Sequence, residues 1–144
     1  MNIKFKTEIK LPKKDLIEER TKRVLWKSVN KVVELAKGYA PVDTGLLRNS
    51  ITFYPIWPGS AEYLITDGVD YGIHVEYGTS PHSPPIGPLK LWSRRVLGDE
   101  KAAYAVRAGI AKYGTPAQPF FRPSLAQVKA YWIKAFFGQV FGQA

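Results

Sequence analysis

The chain has 144 residues, a formal net charge of +9 at pH 7 and no cysteine. That length fits one domain with its own core, and the absence of thiols excludes a disulfide framework and a thiolate metal centre. No segment approaches the roughly 20 uninterrupted apolar residues of a transmembrane helix, and residues 1–6 lack a signal-peptide run, so a soluble intracellular product is expected.

Charge is uneven along the chain. Residues 1–37 hold 11 Lys/Arg against 5 Asp/Glu, residues 38–89 hold 1 against 5, and residues 90–144 hold 9 against 2. Basic ends raise the local concentration of anionic partners, and the same charges on solvated helix faces keep a domain soluble.

In chain order, Ile3, Phe5, Thr7, Ile9 and Leu11 alternate with polar residues, which predicts a strand or arm over 1–12, lysine-rich as an edge strand would be. Pro12 closes it and Asp15 can cap a helix. Ile17, Leu25, Val29, Val32, Ala36 and Tyr39 form one helical stripe flanked by Val24, Trp26 and Val33, predicting a long amphipathic helix over 13–40. Residues 46–57, 61–66 and 71–77 read as strands separated by Pro58-Gly59 and Asp67-Gly68, an antiparallel meander within 46–79. Four prolines make 80–88 a stiff, extended loop. Helices follow over 89–97 and 99–113, split by Gly98 with Asp99 as a cap, together a helical stretch of 89–115. The last part, 116–144, is expected to hold a strand and a helix from about Pro123 to about Phe137. The fold class is α+β: a long N-terminal helix on a small antiparallel sheet, with further helices in the C-terminal half, in one domain.

Candidate chemistry is sparse. Asp43-Thr44-Gly45 matches the aspartic-protease triplet, but it follows a helix and a proline. A turn is expected instead, with Asp43 and Thr44 bonding the backbone and Gly45 supplying a positive φ before a strand. His74 and Glu76, two apart on a predicted strand, share a face, yet two ligands are too few for a metal. His82 sits in the proline-rich loop without a partner. There is no phosphate-cradling glycine loop, nucleophile signature or acidic metal cluster, so no enzyme, metal or cofactor is expected. Most tyrosines and tryptophans fall on apolar positions and are expected in the core. The end is different: Tyr131, Trp132, Phe136, Phe137 and Phe141 surround their helix. With Phe5 and Ile9 of the N-terminal strand, they are read as an interface that residues 15–125 do not need in order to fold.

Three strings then stand out in order: Ala40-Pro41-Val42-Asp43-Thr44-Gly45-Leu46-Leu47-Arg48-Asn49-Ser50-Ile51, Tyr71 to Val75-Glu76-Tyr77-Gly78-Thr79, and Pro119-Phe120-Phe121-Arg122-Pro123-Ser124-Leu125. Over residues 15–135 the chain resembles the neck or tail-completion proteins of long-tailed bacteriophages, the gene-product-ten-like family. Trp92 to Thr115 resembles a helical insertion carried by some members, whereas the aromatic end after Tyr131 departs from the pattern.

The resemblance implies a non-enzymatic virion protein, a homo-oligomeric ring at the head–tail junction or tail top. It would contact other neck and tail proteins and, transiently, DNA in the channel, and would be assembled in the host cytoplasm without a membrane. The residues matching the family motif are Pro41, Asp43, Thr44, Gly45, Leu47, Arg48, Glu76, Tyr77, Gly78, Thr79, Pro119, Phe120, Arg122 and Pro123. Their expected roles are architectural: Gly45 and Gly78 as turns, Phe120 as a core anchor, Arg122 and Glu76 as an ion pair. The alternatives are a basic nucleic-acid-binding module and a regulatory or toxin-like domain.

Overall fold

The computed structural model describes residues 2–6 and 14–142, with side chains at Asn2 and from Leu16 onward. In order they form β1 (Asn2–Lys6), α1 (Lys14–Tyr39), α2 (Leu46–Ser50), β2 (Thr52–Pro55), β3 (Glu62–Thr66), α3 (Gly72–Tyr77), α4 (Ile86–Val96), α5 (Ala102–Tyr113), α6 (Phe121–Gln127), a π-helical segment Val128–Trp132, and α7 (Ile133–Phe141). The fold is α+β, with the long helix against a small antiparallel sheet.

α1 organises the core. Leu25, Val29, Val32 and Ala36, spaced by four, three and four, put one side of the helix out of water. They pack with Leu47, Ile51 and Ile65 and with Phe120, Phe121 and Val128 from the C-terminal part. Fully burying side chains of this size contributes about 1.5–3 kcal/mol each, so this cluster carries most of the hydrophobic stabilisation. α1 ends where Ala40 donates to the Ala36 carbonyl and Pro41 stops further helical bonding.

β3 is the central strand, antiparallel to both neighbours in the order β1-β3-β2. Ile65 stands opposite Ile3 on one side and Phe53 on the other. The Phe53 and Tyr63 rings meet nearly edge-on at 5.6 Å. β2 is a four-residue edge strand ending in Pro55, which has no N–H to offer a further strand.

The structure corrects several expectations. The predicted three-strand meander is there only in part: its first two strands pair antiparallel as β2 and β3, but residues 46–50 and 72–77 are helices, and the third strand of the sheet is β1. His74 and Glu76 therefore do not share a strand face; His74 is exposed and Glu76 buried. The proline-rich loop is shorter than 80–88, because α4 starts at Ile86 and takes Pro88 into its first turn, where a missing N–H costs nothing. Residues 116–120 form no strand; Thr115 makes an isolated bridge to Thr79, and the closing helix starts at Phe121. None of the four tryptophans or eight tyrosines is buried, and Trp26, Trp57 and seven tyrosines are exposed. Residues 7–12 of the expected N-terminal strand, including Ile9, and the Phe5 side chain lie outside the described residues.

The aromatic end is not a free surface either. Trp132 and Ile133 pack against the core cluster, and α7 lies along α1. Phe136, Phe137 and Phe141 are half-buried there, and only Tyr131 points away, 73% exposed. Across the seam Lys31 Nζ sits 4.3 Å from the Trp132 ring centre, Lys27 Nζ 6.0 Å from Phe136 and the Arg20 guanidinium 5.9 Å from Phe141.

Candidate functional site

The second and third strings meet at the end of α3. Glu76 is fully buried, which would expel a charged carboxylate unless its oxygens were taken up. They are: Oε2 accepts the amides of Phe120 and Phe121 at 2.7 and 2.9 Å, and Oε1 accepts the Arg122 amide and Nε, both at 3.0 Å. The same guanidinium donates to the Glu76 carbonyl at 2.8 Å and lies 4.6 Å over the Tyr77 ring. Burial pushes the Glu76 carboxyl up, but the three backbone amides and Arg122 outweigh it and hold the carboxyl below the usual range. A carboxylate thus caps the first turn of α6, where the free amides and the helix dipole both favour negative charge.

Below that knot the chain crosses itself. Thr79 and Thr115 exchange backbone hydrogen bonds at 3.1 and 3.3 Å, and their hydroxyls are 2.8 Å apart. Gly78 and Gly114 have φ of +73° and +74°, and a Cβ on Gly114 would stand 1.9 Å from the Thr79 carbonyl oxygen. No side chain fits at that crossing.

The first string turns a corner beside it. Gly45 has φ +83°, but it leads into α2 and not into a strand. Thr44 Oγ1 accepts the Leu46 amide at 3.4 Å, a long bond; Asp43, expected to bond the turn, instead receives the Arg95 guanidinium at 3.1 and 2.6 Å. That bidentate pair holds the Asp43 carboxyl below its ordinary range. It also ties the corner to α4.

Between the corner, α3, the Thr79–His82 stretch and α4 runs a groove of about 1090 Å³. Its polar lining includes Asp43, Thr44, His74, Thr79, His82 and Gln118, and its apolar walls include Val42, Leu46, Tyr71, Trp92 and Val96. His82 Nδ1 is 2.9 Å from the Ser80 carbonyl and 3.4 Å from Thr79 Oγ1. Among the described residues no three His, Cys, Asp or Glu gather to hold a metal.

Of the residues picked from the sequence, Asp43, Thr44, Gly45, Leu47, Gly78, Thr79 and Pro41 line the groove, and Glu76, Phe120 and Arg122 form the knot. Phe120 is fully buried, and Leu47 fixes α2 to the core. Arg48, Tyr77 and Pro119 are exposed, and Pro123 sits in the first turn of α6. Sequence reading missed Arg95 and Thr115, whose partners are 52 and 36 positions away, and Trp92 as a wall of the groove. It also missed a second cleft of about 430 Å³ lined by Arg20, Arg23, Lys27, Gln139 and Val140. The i, i+3, i+7 spacing of its cations was the available signal.

No protein-family model, curated protein or solved structure matches the chain.

Proposed function

We propose that the chain is a structural virion protein of a bacteriophage neck or tail top, forming an oligomeric ring that helps complete the tail and join it to the head. One observation carries the reading: three separate strings converge on a knot and a corner whose functional groups are spent on backbone geometry. Glu76 is consumed in capping α6, and Asp43 in holding α4. A carboxylate with four donors on it has little capacity left for proton transfer, so architecture is the better use of these residues.

Exposed apolar side chains point the same way. Sixteen large hydrophobic residues are exposed among those described, and Val42, Leu46, Tyr71 and Val96 of them line the groove. Apolar area gathered in a concave site is what a neighbouring chain would bury. A ring needs such heterologous contacts, one face of each subunit meeting a different face of the next.

Complementation of a phage lacking the corresponding gene is the test, with Leu46→Asp/Val96→Asp beside wild type. Heads and tails that accumulate unjoined with the double variant, folded by circular dichroism, support the reading. Full restoration of infectious particles by that variant removes the groove from assembly. Failure of the wild-type chain to complement any morphogenesis defect overturns the function.

A further inference from the structure

The geometry points to a phosphodiester-binding site in the cleft between α1 and α7, formed by Arg20, Arg23, Lys27 and Gln139. This goes beyond the neck reading and does not depend on it. Three cations line the cleft and, among the described residues, no carboxylate does. Several other cations are matched, Lys22 with Glu18 and Glu19, Lys31 with Glu34, Lys90 and Arg94 with Glu100, Arg95 with Asp43, whereas single cations such as Lys101 and Lys112 stand alone among the described residues; what sets the cleft apart is three cations lining one opening. Among the described residues Arg20, Arg23 and Lys27 have no acidic partner within 4 Å, so their field is left for a ligand.

The cleft is also built of donors. Lys27 Nζ donates to Gln139 Oε1 at 3.0 Å, which occupies the amide's acceptor and leaves its NH₂ to donate. Two guanidinium forks, an ammonium and an amide NH₂ can together serve an anion rich in acceptor oxygens. Guanidinium matches phosphate with paired N–H bonds. Arg20 and Lys27 lie 5.9 and 6.0 Å from the centres of the Phe141 and Phe136 rings.

Spacing favours a polymer over one free anion. Residues 20, 23 and 27 follow one face of α1 over about 10 Å at 1.5 Å per residue, so the cations can meet successive phosphates of a strand. The ligand class is a nucleic-acid backbone, read through charge and without sequence preference.

The test is fluorescence anisotropy of the full chain with labelled 20-base-pair duplex DNA and duplex RNA between 50 and 200 mM salt, with unlabelled polyglutamate as competitor. Three phosphate contacts correspond to a log–log salt slope near −2.7, a loss of about 40-fold in affinity over that range. Arg20→Gln/Arg23→Gln/Lys27→Gln should remove that component, and Arg23→Gln alone, at an exposed position, about one third of it. The control Arg94→Gln/Lys101→Gln/Lys112→Gln removes equal charge from α4, from the residue before α5 and from the end of α5, and should keep most of the slope.

Selective loss in the α1 variants supports the site, and the DNA and RNA arms tell which backbone it prefers. Wild-type affinity in the triple and single variants, equal losses in the control, or polyglutamate competing as well as unlabelled DNA would each overturn it. If the triple variant does not fold, the single variant decides.

Discussion

The Glu76 carboxylate stands 2.7 Å from the amide nitrogen of Phe120, 44 positions further along the chain. One side chain from the last turn of α3 therefore caps the start of α6. Arg122, 52% exposed, adds a partner that water screens, so the buried amides carry most of the weight. Glu76→Gln keeps the shape but turns an NH₂ toward amide donors. A cost of about 3 kcal/mol is expected, a fall of roughly 10 °C in melting temperature. A drop under about 3 °C would mean the knot is incidental.

The same group sets an acid limit. Its folded-state titration lies below the unfolded value of about 4.3, so the unfolded chain takes up the proton first. The stabilisation is complete above about pH 5 and lost as pH falls through the lower folded-state value. Thermal melts from pH 7 to pH 3 should show this decline in wild type and a shallower one in Glu76→Gln. Parallel curves would assign acid sensitivity elsewhere.

Two glycine substitutions should differ in size for a stated reason. At Gly45 a Cβ would meet only Asn49 Nδ2 at 3.5 Å, so Gly45→Val costs mainly the positive φ, somewhat more than about 1 kcal/mol. At Gly114 the obstacle is backbone at 1.9 Å, which cannot swing aside. Gly114→Ala should cost over about 3 kcal/mol and separate Thr79 from Thr115. Urea melts of both variants compare them directly, and equal midpoints would refute the close crossing.

Removing residues 132–144 should unfold much of the subunit, against the expectation that 15–125 would stand alone. Trp132 and Ile133 leave the core and three half-buried phenylalanines leave α1. At about 1–2 kcal/mol each, the loss of roughly 5 kcal/mol or more rivals the whole stability of a typical domain. A truncated chain that keeps its circular dichroism and melts within about 3 °C of full length would make α7 an appendage.

Asp43→Asn should release Arg95 and loosen α4 from the corner while barely moving the melting midpoint, since the pair is exposed to water. Hydrogen exchange would report faster amide exchange in α4 with unchanged protection in α1. Unchanged exchange in α4 would show that other contacts hold it.

The stripe on α1 was readable because its buried residues are apolar and repeat with helical period. α3 was not, for an instructive reason. Its buried residues are Gly72 and Glu76, one turn apart, while Ile73 and Tyr77 are 48% and 57% exposed. A search for apolar periodicity therefore finds the wrong face, and alternation of Ile73, Val75 and Tyr77 imitates a strand. α2 misleads more simply, since five residues are too few to separate the periods; Leu47 and Ile51, both buried, are four apart. The Arg122–Glu76 pair was accessible from charge alone, but the three amides on the same carboxylate depend on a chain crossing that local sequence does not encode. The exposed tyrosines were misplaced because hydrophobicity alone does not distinguish a core position from a solvent-facing one.

The Thr79–Thr115 bridge has one more consequence. Everything from Ser80 to Gly114 leaves and rejoins the rest of the molecule through two adjacent residues, so the excursion behaves as a cassette. Its length can change in whole insertions or deletions without shifting α1, the sheet or α6 by a residue. Yet Trp92 and Val96, two of the walls of the groove, ride on it. Replacing the cassette would therefore rebuild one wall of the groove and leave the core cluster in place, at the loss of the Asp43–Arg95 pair.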